Sequence, residues 1–342
     1  MQASRSGPAD ASPPINAFGW VESQLRSEAA QPIGLAAIPE FQSVLLAHLD
    51  PNIDPSLAIR ALFGEWFPVL HWIDATWAVD NWQQVFPADD GQRNLKRAAW
   101  ESFIRYHRPI GSLFSILGPL YKESVSSPKV AETASPKYGS YETNLAAHLM
   151  TFYWWGVEGA ATVVDEFFQR ASAQLRLEAL DFIGRSLSDT RDKTADDVLN
   201  RLVTLFDSRS SAFEPGVVDR ELQAFGWWLA SEKFDLDWAL ERALSVLQRG
   251  IQVEPDHVVV QYLGRLVASR PAAAVRLLIG VIDNQADQWS IHGWRKEARS
   301  VPEAALLSGD GDAAVAAREA IGKLVARGHL DFRELTKAHS AG

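Results

Sequence analysis

Apolar side chains recur at every third or fourth position along most of this chain, with polar residues between them. In the stretch after Thr194, for instance, Val198, Leu202 and Leu205 share one face of a helix, while Arg201 points outward. The alternation of apolar and polar residues that is typical of strands is nearly absent. The pattern therefore predicts an all-α protein.

Prolines and capping residues mark where helices are expected to begin. Asp54-Pro55 resembles an N-cap and first helical position before residues 57–67, and this signature recurs downstream. The further examples are Glu214-Pro215, Glu254-Pro255, Arg270-Pro271 and Val301-Pro302. Residues 194–197 resemble a capping box. Pro68 is predicted to end one helix and to let another begin.

Composition divides the chain into four stretches. Residues 1–14 are small, polar and proline-bearing, which predicts a disordered tail. Residues 15–121 form a tryptophan-rich segment that is expected to be helical. Residues 122–140 are rich in Ser, Thr, Pro and Lys and are interpreted as a linker. Residues 141–338 are expected to form HEAT-like helical repeats, so that the fold class is a helical-repeat solenoid preceded by the tryptophan-rich segment.

The repeat is visible in the placement of glycines. Gly184, Gly226 and Gly264 each follow a large apolar residue within a helical pattern, 42 and then 38 residues apart. Two helices in about 40 residues is the HEAT-like period. Gly322 matches the same element after a longer interval. Because glycine inside a helix costs about 1 kcal/mol relative to alanine, we interpret these glycines as points of close helix approach, with chance placement as the alternative.

The tryptophan-rich segment is apolar on more than one helix face. Residues 63–86 read FGEWFPVLHWIDATWAVDNWQQVF, and only residues 33–49, themselves strongly apolar, directly precede this region to cover it. We therefore expect an apolar surface between Ile33 and Trp82, through which the chain self-associates or binds a partner.

Composition and charge narrow the classes of function. The chain has no cysteine, which excludes disulfides, thiolate zinc sites and cysteine nucleophiles. Its net charge of −10 disfavours binding to a nucleic-acid backbone. Neither a signal peptide nor an apolar run of membrane-spanning length is found, so a cytoplasmic protein without membrane contact is expected.

Few residues suggest a catalytic, metal-binding or cofactor-binding site. Nucleotide-binding and metalloprotease motifs are missing, the eight histidines show no paired metal spacing, and no cofactor is expected. The best local candidate for an acid–base pair is His71 with Asp74, one helical turn apart. The alternative interpretation of this pair is a polar seam or a satisfied core histidine.

Two pairs of adjacent tryptophans are the leading candidates for an interaction surface. Trp154-Trp155 and Trp227-Trp228 are expected on helices, where neighbouring side chains cannot point the same way. One ring of each pair is therefore expected to be partly exposed or to lie between repeats, and these four residues are the predicted interaction site.

Several of these segments resemble a known class of protein. The residues HLMTFYWWG at 148–156, DFIGRSL at 181–187, FGWW at 225–228 and GHLDFR at 328–333 are similar to the C-terminal helical arrays of large bacterial proteins. Those proteins often carry a STAND-type NTPase or another effector at the N-terminus, and several act in anti-phage defence. The resemblance covers roughly residues 145–335, and this chain departs from the pattern because it lacks the NTPase part.

The resemblance implies a non-catalytic scaffold or sensor that binds a protein, with an effector or NTPase subunit as the expected partner. Two alternatives stay open. One is an all-helical hydrolase that uses His71 and Asp74. The other is a HEAT-like nucleic-acid-binding protein. It would need a continuous stripe of Lys and Arg side chains on its surface, which the net negative charge of the chain does not suggest.

Overall fold

The computed structural model describes residues 34–126, 140–212, 220–285 and 290–338. Within these ranges every regular element is helical, so the chain is all-α there, as the periodicity predicts. The chain divides into two compact units. The first comprises residues 1–152 and 157–163, and the second comprises residues 153–156 and 164–342. Within the described ranges, the helices are too short or too polar to cross a membrane.

The first unit contains five complete α-helices and most of a sixth. They are α1 (Pro39–Leu49), α2 (Leu57–Ile73), α3 (Ala75–Val85), α4 (Arg93–Tyr106), α5 (Gly111–Ser126) and α6 (Tyr141–Trp155). Short 3₁₀ turns at Leu35–Ala37 and Asp90–Gln92 precede α1 and α4. Helix α2 packs against both α3 and α4. The closest approach is at Gly64, where a Cβ atom would lie 2.5 Å from the backbone carbonyl carbon of Ala99.

Aromatic side chains fill the core of this unit. Phe86 packs edge-on against Phe67 and Trp100, with ring centroids 5.2 and 6.1 Å apart, and Tyr121 packs edge-on against Trp100 at 4.9 Å. Such edge-to-face pairs stabilise a core beyond the area that they bury. Much of the aromatic content of the first half is therefore explained by packing.

Pro68 lies inside α2 and does not end it, so the predicted break at this proline is wrong. The helix continues to Ile73, and the break falls at Asp74. A proline within a helix lacks the N–H that would bond to the carbonyl four residues earlier. Here that residue is Gly64, and the ring of Pro68 is buried in the core, so packing outweighs the lost hydrogen bond.

The second unit begins with the end of α6 and most of α7 (Ala160–Arg170) and continues through the later helices. These are α8 (Ala173–Asp189), α9 (Asp196–Ser211), α10 (Phe225–Ala230), α11 (Leu236–Gln248), α12 (Asp256–Leu266), α13 (Pro271–Asn284), α14 (Ser290–Gly293), α15 (Arg295–Leu307), α16 (Gly311–Ala326) and α17 (Arg333–Ala338). Two 3₁₀ turns, Arg220–Ala224 and Leu330–Phe332, precede α10 and α17.

The helices of the second unit contact one another in a regular pattern. Helix α8 contacts α10, α10 contacts α12, and α12 contacts α15, while α11 contacts α13 and α13 contacts α16. Successive helices also pair, α10 with α11, α12 with α13, and α15 with α16. Counted without the four-residue α14, five of these helices therefore contact the helix two positions further along.

The repeat glycines fall into two groups. A Cβ atom on Gly184 would lie 2.5 Å from Trp227 Cβ, and one on Gly226 would lie 2.7 Å from the carbonyl carbon of Glu254, so close approach is confirmed at both positions. A Cβ atom on Gly264 would meet only Ser300 Oγ at 3.9 Å, and one on Gly322 would meet nothing within 4 Å. The prediction of close approach is therefore wrong for Gly264 and Gly322.

Other sequence predictions shift by a few residues or lie outside the described ranges. Helix α9 begins at Asp196 after Ala195, and the hydroxyl of Thr194 does not cap it. Pro302 lies inside α15, whereas Pro271 does begin α13. The predicted tail at 1–14, residues 127–139 of the predicted linker, and Pro215 lie outside the described residues.

Candidate functional site

Exposed apolar side chains are concentrated near the start of the described chain. Six of the eleven large apolar side chains that are exposed in the described ranges lie between residues 44 and 79. They are Val44, Leu46, Ile53, Leu57, Trp72 and Val79, and we call them the N-terminal apolar surface. Their exposed fractions run from 38% for Leu46 to 64% for Ile53. The expectation that apolar side chains remain exposed between Ile33 and Trp82 is confirmed, whereas binding through them remains a prediction.

A buried arginine fixes the helices that carry this surface. Arg60 on α2 is 1% exposed, and its guanidinium donates to the backbone carbonyl of Leu49 at 2.8 Å and to that of Gln84. These carbonyls lie in the last turns of α1 and α3, where no further helical N–H is available to them. Burial lowers the pKa of Arg60, with Asp54 acting in the opposite direction, but an arginine stays charged in either case. One side chain thus holds three helices together.

The structure does not bring His71 and Asp74 together as an acid–base pair. Asp74 is the N-cap of α3, and its two carboxylate oxygens accept hydrogen bonds from the backbone N–H groups of Trp77 at 2.9 Å and Leu35 at 3.0 Å. In the described part of the chain, no hydrogen bond joins it to the half-buried His71, whose pKa is lowered by burial. The geometry therefore favours a capping role for Asp74.

A different imidazole–carboxylate pair exists nearby, one that sequence reasoning did not single out. His48 Nδ1 lies 2.6 Å from Asp54 Oδ2, and Asp54 Oδ1 accepts from the N–H of Ser56 at 3.0 Å. Burial raises the pKa of Asp54, but the hydrogen bonds from His48 and Ser56 outweigh it and the pKa is lowered. The pair spans the turn between α1 and α2, so it stabilises the connection between the two helices that carry much of the N-terminal apolar surface.

His148, in the first unit, is a buried histidine. His148 Nε2 lies 2.8 Å from the backbone carbonyl of His107, so this nitrogen must carry the proton, and Nδ1 accepts from the Tyr121 hydroxyl at 2.8 Å. Burial lowers the pKa of His148 to about 4. Both ring nitrogens are engaged and the ring is neutral, which makes His148 a structural link between α6 and the end of α4.

The first tryptophan pair lies at the end of α6. Trp155 is 52% exposed and Trp154 is half-buried. The backbone carbonyl of Trp154 accepts from Arg201 Nη2 at 2.8 Å, and Gly156 follows in the left-handed region at φ +67°. Glycine is the preferred residue for this kind of helix ending. The WWG sequence is therefore a capped helix end that leaves one ring largely exposed.

The second pair lies on α10 and is more enclosed. Trp227 is half-buried, and Trp228 is 1% exposed, with its indole N–H donating to the carbonyl of Leu180 at 2.9 Å. The four predicted interaction residues thus occupy different environments, and Trp155 is the most accessible of them.

The second unit also contains a buried carboxylate that the sequence did not reveal. Glu221 is 1% exposed, and Arg209 contacts both of its oxygens, with Nη2 donating to Oε1 at 2.9 Å. Arg176 Nε lies 3.5 Å from Oε2. Two cations compensate one buried anion, which is the arrangement expected of a structural ion pair. In the described ranges, no cluster of three or more His, Asp or Glu side chains could hold a metal ion.

Comparison of the chain with protein-family models, curated proteins and solved structures found no match.

Proposed function

We propose that this protein is a non-catalytic protein-binding scaffold or sensor. The observation that carries the proposal is the N-terminal apolar surface, on which six large apolar side chains are exposed within 36 residues of sequence. Isolated exposed apolar residues are ordinary, but a concentration of them is typical of interaction sites. A protein partner or a second copy of the chain would remove these side chains from water.

The HEAT-like architecture belongs to the same proposal. The contacts between helices two positions apart in the second unit support it, because stacked helix pairs make contacts of this kind. So do the close approaches at Gly184 and Gly226, which recur at one position of the repeat. The concave face of such an array would offer a second surface for a partner, with Trp155 as its most accessible candidate residue.

We further propose that the chain works in the cytoplasm as one arm of a bacterial defence-type assembly, with an effector or NTPase subunit as its partner. The support is the resemblance of residues 145–335 to the terminal arrays of such proteins. A hydrolytic role for His71 and Asp74 is less favoured, because both oxygens of Asp74 accept backbone hydrogen bonds.

The experiment compares exposed valines on and off the N-terminal apolar surface. Val44 and Val79 are each 51% exposed, and Val315 on α16 is 65% exposed. We expect the double variant V44S/V79S to weaken self-association, measured by light scattering of the full chain, or capture of a co-expressed neighbouring gene product. The control V315S should behave like the parent.

Serine on an exposed site changes folding stability little, so the two variants should unfold alike. A parent protein that stays monomeric at high concentration and binds no neighbouring gene product would contradict the proposal. Equal effects of V44S/V79S and V315S would remove this surface as the site.

A further inference from the structure

A cavity of about 280 Å³ lies within the second unit, among α10, α11 and α12. Its walls expose polar and apolar surface in about equal parts and include three aromatic side chains, Trp228, Phe234 and Tyr262, and two charged side chains, Glu232 and Arg265. Cavities that bind drug-sized ligands measure about 300–1,000 Å³. The size of this one therefore suits a ligand no larger than a single amino acid.

One wall is a preformed aromatic platform. The rings of Trp228 and Phe234 are stacked, with an interplanar angle of 6° and centroids 5.6 Å apart. Trp228 is held in place by its hydrogen bond to the carbonyl of Leu180. Trp228 is 1% exposed and Phe234 is stacked on it, so a flat or branched apolar group would pack mainly against Phe234. Because these rings are already ordered, such packing would cost little side-chain entropy.

A polar group inside the cavity lacks a partner. Tyr262 is 5% exposed, and its hydroxyl forms no hydrogen bond with any other residue that the structure describes. A hydroxyl without a protein partner is free to bond to a ligand. Burial and the nearby Glu232 raise the pKa of Tyr262, with Arg265 acting in the opposite direction, so the hydroxyl keeps its proton and can donate to a ligand.

The two charged residues form an ion pair that lines the same cavity. Arg265 Nη2 donates to Glu232 Oε1 at 2.5 Å, and the Arg265 guanidinium carbon lies 5.7 Å from the centre of the Tyr262 ring. Both side chains of the ion pair are more than half exposed. Exposed ion pairs contribute little to stability, so a ligand with both charges could replace the pair at small cost.

The backbone at Glu232 is unusual. It is the only non-glycine residue with positive φ in the described ranges, at +58°, and it follows the end of α10 where glycine is the preferred residue. Such a conformation is strained for a residue with a side chain. This backbone conformation places the Glu232 carboxylate at the cavity, whereas a glycine at the same position would have no side chain there.

We propose that this cavity binds a free α-amino acid with an aromatic or large aliphatic side chain. The side chain would pack against Phe234, the carboxylate would accept from Arg265, and the ammonium group would donate to Glu232. The Tyr262 hydroxyl would donate to the carboxylate. Adjacent charges of opposite sign in one cavity with aromatic side chains match a zwitterion better than they match an acid, an amine or a neutral apolar group. The site does not depend on the protein-binding role proposed above.

Calorimetric titration of the full chain tests the ligand class. We expect L-tryptophan or L-phenylalanine to bind, and expect tryptamine and indole-3-propionate, which each lack one charge, to bind about tenfold more weakly. Equal binding of indole would overturn the proposal in favour of a purely apolar anchor site. Binding only of peptides with a terminal aromatic residue would overturn it in favour of a peptide end, and no binding at millimolar concentration would overturn it outright.

Two variants test the residues without disturbing the fold. Glu232→Gly relieves the backbone strain, so it should leave the unfolding midpoint unchanged or raise it, yet weaken amino-acid binding about tenfold. Arg265→Gln should have a similar effect on binding. The control is Arg93→Gln, which breaks an exposed ion pair with Asp90 in the first unit, whereas the cavity is lined by residues of the second unit. Equal affinities of Glu232→Gly, Arg265→Gln and Arg93→Gln would show that the charged pair takes no part.

Discussion

The division of the repeat glycines into two groups gives a sharp prediction about folding stability. In Gly226→Ala, the new Cβ atom would lie 2.7 Å from the carbonyl carbon of Glu254 and 2.9 Å from Val259 Cγ2. Carbon atoms in contact normally lie about 3.5–4.0 Å apart, so the loop before α12 would have to move by about 1 Å. That loop is also held by a 2.7 Å hydrogen bond from the Glu254 N–H to the carbonyl of Gln223.

Three contributions determine the change in the free energy of unfolding, of which two destabilise the variant and one stabilises it. Overpacking of this kind costs about 1–3 kcal/mol, and weakening the Gln223 hydrogen bond adds up to about 1 kcal/mol. The higher helix propensity of alanine returns about 1 kcal/mol. Together these contributions predict that Gly226→Ala lowers the free energy of unfolding by up to about 3 kcal/mol.

Gly264→Ala is the matched control. It makes the same chemical change inside a helix, but its Cβ atom would meet only Ser300 Oγ at 3.9 Å, an ordinary contact. We expect this variant to be stabilised by about 0.5–1 kcal/mol through helix propensity alone. Urea unfolding followed by circular dichroism measures both variants. Equal midpoints for the two, or a destabilised Gly264→Ala, would refute the assignment of close approach to Gly226.

Two further predictions concern the buried polar groups of the first unit. Arg60→Met should lower the free energy of unfolding by about 2–4 kcal/mol, because the carbonyls of Leu49 and Gln84 lose their donor; unchanged thermal unfolding would contradict the role assigned to Arg60. His148 has a pKa of about 4 in the folded chain, below the unfolded value of about 6.5, so the unfolded state binds more protons between these values. Stability should fall as pH decreases from 6.5 toward 4, and His148→Gln, whose amide can also donate and accept, should remove about 2 kcal/mol of the loss between pH 7 and pH 5. Identical pH profiles for parent and variant would contradict this assignment.

The helical class could be predicted from sequence, because a period of three to four is a local property of the chain. The role of individual prolines could not. Pro271 begins a helix, whereas Pro68, Pro119 and Pro302 lie within helices. A proline's fixed φ suits both positions, and the difference depends on whether tertiary packing offsets the missing hydrogen bond.

The glycines show the same limit. Gly226 and Gly264 occupy equivalent places in the sequence pattern, yet only Gly226 has a neighbouring backbone against it. Their spacing in the sequence predicts a repeat of helix pairs, whereas the local approach depends on which loop crosses each helix. A periodic glycine therefore does not by itself predict a close contact.

The structure does not form the predicted pair of His71 with Asp74, for a related reason. His71 and Asp74 are close in sequence, but Asp74 is engaged as a helix cap, whereas the pair that does form, His48 with Asp54, spans a turn. Spacing along a helix predicts a shared face only while the helix continues, and this helix ends at Ile73. The exposure of apolar side chains between Ile33 and Trp82 could be predicted from the sequence. This prediction required only that the segment contain more apolar positions than the neighbouring helix faces can bury.

Several arginines donate hydrogen bonds to carbonyl groups at the ends of helices. These contacts limit which arginines can bind a ligand. Arg60 donates to the end of α1, Arg201 to the end of α6, and Arg249 to the carbonyl of Ser210 near the end of α9, at 2.8 Å in each case. The last carbonyls of a helix carry partial negative charge and lack helical donors, so a cation from another helix satisfies both needs. These guanidinium groups are fixed by the fold and have little freedom to bind a ligand. The Arg265 guanidinium differs, since it is exposed beside a cavity and bonded to a strained Glu232, and it is therefore the arginine best placed to exchange its partner.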